Sequence, residues 1–448
     1  MSDGALILAI GDVHLGTACS GLPGQIKSWG VDPAELTPAA ALRRAVDFAI
    51  EKRVDAVLFA GDVVDGDNAR FEAMAPLEES VRRLLDKDIA VIAVAGNHDF
   101  KALPRLAALM DGFTLLGAGG KWDAVTVAKA AIPHAEVVGW SFGDQYVRQS
   151  PVAMLLTHPL PAPSPPVPRI GLLHGDLDAS GGPYAPIRQT ELNDTGYDAW
   201  LLGHIHKPSL EGLLGWGGSR PCGYLGSLVG LDPSETGPHG PWLLNGSDDG
   251  GISLEQIPLA PLRWEPMDVD ITGIEHVEDV SDRLLDAAQE HFRKLEQAGQ
   301  PLPRALGLRV QLTGASASYE SIRQWIANGQ WRSMWRAVDG TVIFFNRVVD
   351  AMELHLDLEN IASGDDPAAL LARRLLSLGR DDDRAKELLG RARDKLVEIT
   401  RQDFWFPLQE HHDATDPLSE EALRDVLLRS GKAALNEMFS GREAGDRR

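Results

Sequence analysis

Along the first 245 residues, short apolar runs alternate with segments whose apolar positions recur at helical spacing, the pattern of a layered α/β chain with buried strands. The runs are ALILAI (5–10), VDAVLFA (54–60), IAVIAVA (89–95), EVVGWS (136–141), RIGLLH (169–174) and YDAWLLG (197–203). Between the first three, PAAALRRAVDFAIEKR and APLEESVRRLLDKD predict amphipathic helices whose charges form a solvated face. The proline-dense PLPAPSPPVPR (159–169) predicts an exposed loop, because proline removes donors and restricts its neighbours. A polyproline II docking segment is its alternative reading.

In DPSETGPHGPWLLNGSDDGG (232–251) Gly, Pro, Ser and Asp cluster, which places a boundary near 245–262. Beyond it RWEPMDVDI, SDRLLDAAQEHFRKLEQ, RALGLRVQLTG and YESIRQWIA read as strand, helix, strand and helix, so a small α/β accessory domain is expected over 262–355. Residues 365–445 read as mostly helical and charged. Their last helix is expected to begin at a Ser419 cap and stop at Gly441, with Leu423, Leu427, Ala434 and Met438 on one face. That face would pack on its own domain or dock on a partner helix.

Composition narrows the function classes. A chain of 448 residues with 44% hydrophobic content is long for one core, so two or three packed domains are expected. Its 43 basic against 65 acidic residues give a net charge of -22, which excludes a protein that holds nucleic acid through a broad basic surface. Any polyanion would have to be gripped locally. Cys19 and Cys222 cannot build a disulfide framework and belong to no C-x-x-C pair, which fits a reduced cytosol. MSDGALILAI lacks the basic and long apolar regions of a secretory signal, and no run reaches bilayer-spanning length. A soluble, cytoplasmic protein is therefore expected. The chain also has no G-x-x-x-x-G-K-[ST] loop to cradle ATP.

The chemistry lies just after the apolar runs, as GDVHLG, GDVVD, GNHD, HGD and GHIH. Strand ends are where ligands bind in open α/β sheets, so these words point to one site. Asp12, His14, Asp62, Asn97, His174, His204 and His206 offer oxygen and nitrogen donors without a thiolate, a set suited to Mn²⁺, Fe²⁺ or Zn²⁺. Alone, each reads blandly. Asp12, Asp62 and Asn97 are ordinary turn residues, His174 an ordinary core histidine, and H-x-H an ordinary strand pair. In order, at strand ends, they are far more specific. Seven donors with one shared supply four contacts to each of two cations, and Asp62 is the natural bridge. His158 in LLTHPL competes for the role of His174, which is preferred because Gly175 beside it is permissive while THPLPAP runs into the proline loop.

The series D-x-H, G-D-x-x-D, G-N-H-D, H, G-H-x-H resembles that of the calcineurin-like binuclear metallophosphoesterases, over the first 240 or so residues. GDVHLG, GYDAWLLGHIHKP and GYLGS, with IGLLHGD and PYAP, are similar to the SbcD-like DNA repair exonucleases, in particular their YhaO-like subgroup. After about residue 262 only the general layout carries over. The resemblance implies a layered α/β metallophosphoesterase β-sandwich flanked by helices at 1–250, followed by the small α/β accessory domain and the helical C-terminal region. It implies two divalent cations, Mn²⁺ above all, one held by Asp12, His14, Asp62 and His206, the other by Asp62, Asn97, His174 and His204. His98 would sit over the phosphate and donate a proton to the leaving oxygen, oriented by Asp65 or Asp99.

The reaction so implied is in-line attack by a metal-bridging hydroxide on a DNA phosphodiester, in exonuclease or endonuclease mode. Lys207, Arg188 and Arg220 could add phosphate contacts. An SMC-like coiled-coil ATPase (SbcC-like) would be the partner, docking on the C-terminal helices, and the sequence leaves a homodimer open. A phosphatase or small-molecule phosphodiesterase is the alternative, and a non-catalytic scaffold the third reading.

Overall fold

The computed structural model describes residues 4–66, 71–129, 131–178, 181–210, 220–246, 252–354, 357–400 and 419–445. Residues 247–251 of the expected inner boundary lie outside them. The first strands are β1 (Leu6–Ile10), β2 (Ala56–Ala60), β3 (Ala90–Val94) and β4 (Phe113–Leu115), all in parallel. They are joined through α1 (Pro38–Lys52), α2 (Phe71–Leu85) and the short α3 (Ala102–Ala107). Thr37 starts α1 by accepting a hydrogen bond from the Ala40 amide, and Pro38 occupies the first turn, where no amide donor is needed.

The second sheet orders β5 (Trp122–Lys129), β6 (Ile132–Trp140), β7 (Arg169–His174), β8 (Ala199–Gly203) and β9 (Cys222–Tyr224). From β6 onward it is parallel. Outside it lie α4 (Pro151–Thr157) and α5 (Gln189–Asp194). The chain then returns through β10 (Trp242–Gly246) and β11 (Ile252–Gln256), which extend the first sheet beyond β1.

Strand alternation accounts for the layering. Ile7, Ala9, Leu58 and Ala60 share a buried layer with Ile170, Leu172, Ala199 and Leu201, so the two sheets face each other. On the reverse side of the first sheet, Leu8, Ile10, Val57 and Phe59 meet Ala45, Val46, Leu77 and Val81 of α1 and α2. Trp200 and Leu202 meet Val152, Leu155 and Leu192 on the far side of the second. With both faces covered, the strands read as continuous apolar runs. The expected helix-flanked sandwich is the observed fold.

Packing divides the chain into two compact units, Met1–Met267 with Leu284–Val310 and Gln330–Val348, and Asp268–Arg283 with Gln311–Gly329 and Val349–Arg448. This division differs from the 262–355 span read from the sequence. A further sheet orders β12 (Leu262–Asp270), β13 (Ala305–Thr313), β16 (Thr341–Asp350) and β15 (Trp335–Val338), while β14 (Ala315–Ser316) pairs with β17 (Glu353–Leu354). Helices α6 (Asp279–Gln297) and α7 (Tyr319–Asn328) lie between these strands in sequence. Within the first unit Trp264, Ala305, Val342 and Phe344 belong to the same core as Trp29, Leu36 and Leu228. Trp29 also stacks on Trp335 with centroids 5.6 Å apart.

In the second unit, α8 (Leu358–Ala362), α9 (Pro367–Arg380), α10 (Asp383–Thr400) and α11 (Glu420–Gly445) surround Ala372, Leu375, Leu378, Leu389, Leu423 and Leu435. Ser419 caps α11 by accepting from the Ala422 amide. The helix passes Gly441 rather than stopping there, since glycine weakens a helix without forbidding it. Its buried face uses Leu435 where Ala434 was expected, and Met438 is 40% exposed.

Candidate metal centre

Parallel pairing sets the carboxyl ends of β1, β2, β3, β7 and β8 at one edge of the sandwich, and the seven expected donors all gather there. Three of them hold left-handed or otherwise rare backbone conformations: His14 at φ 53°, Asp62 at φ 47° and His204 at φ 107°. Backbone bonds offset this strain. The His14 amide donates to the Asp62 carbonyl at 2.9 Å, and the His204 amide donates to both oxygens of the Asp12 carboxylate at 3.0 and 3.1 Å.

The donors form two clusters, Asp12 with His14 and His206, and Asp62 with His174 and His204, each with ligand atoms within 4.8 Å of one another. Asp62 links them: its Oδ2 lies 3.2 Å from His174 Nε2 and 3.9 Å from His14 Nε2. Asn97 Oδ1 lies 3.1 Å from His174 Nε2, which brings the amide oxygen to the second cluster. In the first, the Nε2 atoms of His14 and His206 face each other at 3.1 Å. Two imidazole lone pairs repel at that spacing unless a proton or a cation lies between them. The donor set and this juxtaposition together fit a pair of divalent cations.

Neighbouring groups fix which nitrogen each histidine offers. His174 Nδ1 donates to the Ala60 carbonyl at 3.0 Å and His206 Nδ1 to Glu235 Oε1 at 2.8 Å, so both present Nε2. His204 is turned the other way: its Nε2 is 3.0 Å from Asp176 Oδ1, which leaves Nδ1 as its lone-pair nitrogen. Glu235 is itself held by the Ser227 hydroxyl at 3.0 Å and the Leu231 amide at 2.9 Å.

Electrostatics follow from burial and from these contacts. Burial pushes Asp12 up to about 6, although His174 draws it down. Burial also lowers His14 to about 4 against the pull of Asp62, and, with the charge of His174, lowers His204 to about 4. Burial alone would lower His174 too, but the charge and hydrogen bond of Asp62 outweigh it and lift the imidazole to about 9. His206 is raised as well: its bond to Glu235 overcomes its burial. Asp62, despite burial, is held far below the usual carboxylate range by His174.

His98 stands beside the clusters, its side chain 47% exposed and its ring edge-on to His14 at 5.2 Å. Its amide donates to Asp62 Oδ1 at 2.9 Å, and its Nδ1 lies 3.4 Å from Asp65 Oδ1. The Thr17 hydroxyl holds the other Asp65 oxygen at 2.9 Å. Of the two carboxylates considered for orienting His98, only Asp65 reaches its ring. Asp99 is fully buried and accepts from the Gly96 and Val63 amides at 2.7 Å each, so it braces the turn that carries Asn97 and His98.

His158 ends α4 on the exposed surface, outside both clusters. The exposed Arg188 pairs with Glu191 Oε1 at 2.8 Å, and its amide donates to Glu191 Oε2 at 3.1 Å at the start of α5. Lys207 and Arg220 are exposed. Sequence reasoning missed Asp176, Ser227 and Glu235 as supports of the site. Asp176 and Ser227 belong to the words HGD and GYLGS, whereas Glu235 in DPSETG looks like any solvated loop acid.

Residues 5–208 match the family model described as calcineurin-like phosphoesterase, and residues 264–357 match that of the middle domain of metallophosphoesterase YhaO. Over residues 5–208 the chain is thus similar to the calcineurin-like phosphoesterases. Over 283 residues the chain is 28% identical to the uncharacterised metallophosphoesterase YhaO of Bacillus subtilis, covering 59% of this chain and 62% of that protein. It is 28% identical over 254 residues to the DNA double-strand break repair protein Mre11 of Haloferax volcanii, covering 54% of this chain and 52% of that one. It is 25% identical to Mre11 of Aeropyrum pernix, covering 59% and 63% of the two chains. The alignments thus span less than two thirds of the length of these relatives. Among solved structures, a dimetal phosphatase from Danio rerio aligns with 57% of this chain and 99% of its own at 14% identity, with a TM-score of 0.33. The matched residues 5–208 contain both donor clusters. Among the described residues no helix is long and apolar enough to cross a membrane.

Proposed function

We propose that the chain hydrolyses DNA phosphodiester bonds, as an exonuclease or endonuclease of DNA repair. The observation that carries the hydrolytic reading is the shared Asp62 carboxylate between two donor clusters, with His98 fixed beside it by its own amide and by Asp65. The relatives named Mre11 support DNA as the substrate.

Asp12, His14, Asp62 and His206 would hold one divalent cation, and Asp62, Asn97, His174 and His204 the other, most naturally Mn²⁺. Such a pair, when bound, neutralises charge on phosphoryl oxygens and makes water a competent nucleophile near neutral pH. The rest of the work belongs to the chain. His98 Nδ1 faces Asp65, so Nε2 points away from it as the proton donor for the leaving oxygen. Glu235 and Asp176 keep His206 and His204 in the tautomers that ligation requires. With a net charge of -22, DNA affinity is left to local sites and to a partner, for which an SMC-like coiled-coil ATPase is the reading carried by the SbcD-like words. The two free thiols, Cys19 and Cys222, suit a reducing cytoplasm.

The test is release of nucleotides from end-labelled duplex DNA with Mn²⁺, beside His98→Ala and a simple phosphomonoester. Cleavage by the wild type that is lost in the variant supports the proposal. Monoester turnover without DNA cleavage replaces it with the phosphatase reading.

A further inference from the structure

The second unit carries a cavity of about 470 Å³ lined by Leu370, Arg373, Arg374, Arg384, Glu387, Leu388 and Arg391. On α9, Leu370, Arg373 and Arg374 fall at i, i+3 and i+4. On α10, Arg384, Glu387, Leu388 and Arg391 fall at i, i+3, i+4 and i+7, so each set shares one helix face. Four arginines and one glutamate therefore line one cavity in a chain whose overall charge is -22.

Other arginines of the second unit sit against acids, as Arg380 does on Glu359, Arg323 on Asp350 and Arg424 on Asp381. Among the described residues, Arg373, Arg374 and Arg391 form no ion pair, and Glu387 closes none with the arginines around it. Mutual repulsion of unpaired guanidinium groups opposes this arrangement, and an anion in the cavity would relieve it. All the cations are arginine, the side chain whose planar fork meets phosphate oxygens two at a time.

We propose that this arginine cavity between α9 and α10 binds the phosphodiester backbone of nucleic acid. Arg384 and Arg391 are seven residues apart on α10, about 10 Å along its axis, which exceeds the reach of a single phosphate and suits successive ones. Leu370, 49% exposed, gives the cavity an apolar wall for a sugar or base face. The proposal rests on the reading of DNA as substrate and adds a contact for it made by residues other than the metal-binding ones.

The test is fluorescence anisotropy of a labelled single-stranded DNA with the full chain in excess EDTA, where binding is read without cleavage. Arg373→Ala/Arg391→Ala is expected to weaken binding at least tenfold. Loss of two phosphate contacts should also make log K against log[salt] shallower by about 1.4. A second pair, Arg374→Ala/Arg384→Ala, should behave alike, with melting temperatures close to wild type in both. Unchanged affinity and slope in two folded variants overturn the proposal. Polyglutamate of matched charge displacing the DNA equally well overturns the phosphodiester assignment in favour of an acidic protein. DNA that is bound through the cavity but never cut with Mn²⁺ removes the nuclease reading and leaves this site. DNA cut normally and bound equally by wild type and variants removes this site and leaves the nuclease.

Discussion

At the residue scale the chemistry depends on which nitrogen each histidine presents, and that is decided by acids outside the donor set. Glu235→Gln keeps the size of the side chain but removes the charge that raises His206. Mn²⁺ affinity is expected to fall about 10- to 100-fold, read by isothermal titration calorimetry, and unchanged affinity would count against the positioning role. A pH dependence follows from His174. Lifted to about 9, it holds a proton at neutral pH that a cation must displace, whereas His14 and His204, lowered to about 4, are already neutral. Binding should therefore release protons at neutral pH and tighten as pH rises toward about 9, which titration in two buffers of different ionisation enthalpy measures. Affinity that is flat across that window would contradict the arrangement. The seven donors were legible because each sits in a short word after an apolar run. Glu235 was not, because its partner His206 is 29 residues away and a single loop acid carries no pattern.

At the element scale the strands determine where those words end up. The sequence showed β1, β2, β3, β7 and β8 because both faces of each are covered and their apolar runs are unbroken. It did not show β5, whose residues are mostly half-exposed or exposed, nor β15 and β16, which follow the strand–helix–strand–helix pattern it did reveal. Close packing between β7 and β8 supplies a stability test. A Cβ on Gly171 would lie 2.3 Å from the Trp200 ring, so Gly171→Ala is expected to destabilise the fold by roughly 1–3 kcal/mol in a denaturant titration. A second test concerns α5. Although burial opposes it, Glu191 is held below the usual carboxylate range by Ser150 and by the amide and guanidinium of Arg188. Its stabilisation is full above the unfolded value of about 4.3 and is lost as pH falls through the lower native value. Glu191→Gln should then cost about 1 kcal/mol at neutral pH, discounted for the exposed Arg188, and the gap to wild type should close in acid. A gap that persists in acid would assign the loss to packing instead.

At the scale of the whole molecule, the proposed function asks an acidic chain to concentrate its affinity for a negatively charged substrate in two places. One is the cation pair that the carboxyl ends of five strands would hold, and the other is the arginine cavity of the second unit. The first was visible in the sequence as ordered motifs. The second was hidden in helices read only as charged, since Arg373 and Arg391 come to line one cavity through the pairing of α9 with α10 rather than through any local word. Because the centre joins two sheets, cation binding should also stabilise the first unit. Mn²⁺ at 100 times its Kd adds about 2.7 kcal/mol per site, which appears as a melting temperature raised by Mn²⁺ and restored by EDTA. Asp62 is the residue that would join two cation sites into one hydrolytic centre. The most direct measurement is Mn²⁺ stoichiometry by calorimetry, with hydrolysis of bis-p-nitrophenyl phosphate on the same samples, for wild type and Asp62→Ala. Two Mn²⁺ per wild-type chain with turnover are expected, and loss of both tight binding and turnover in the variant. Two tightly bound Mn²⁺ and full turnover in Asp62→Ala would contradict that role.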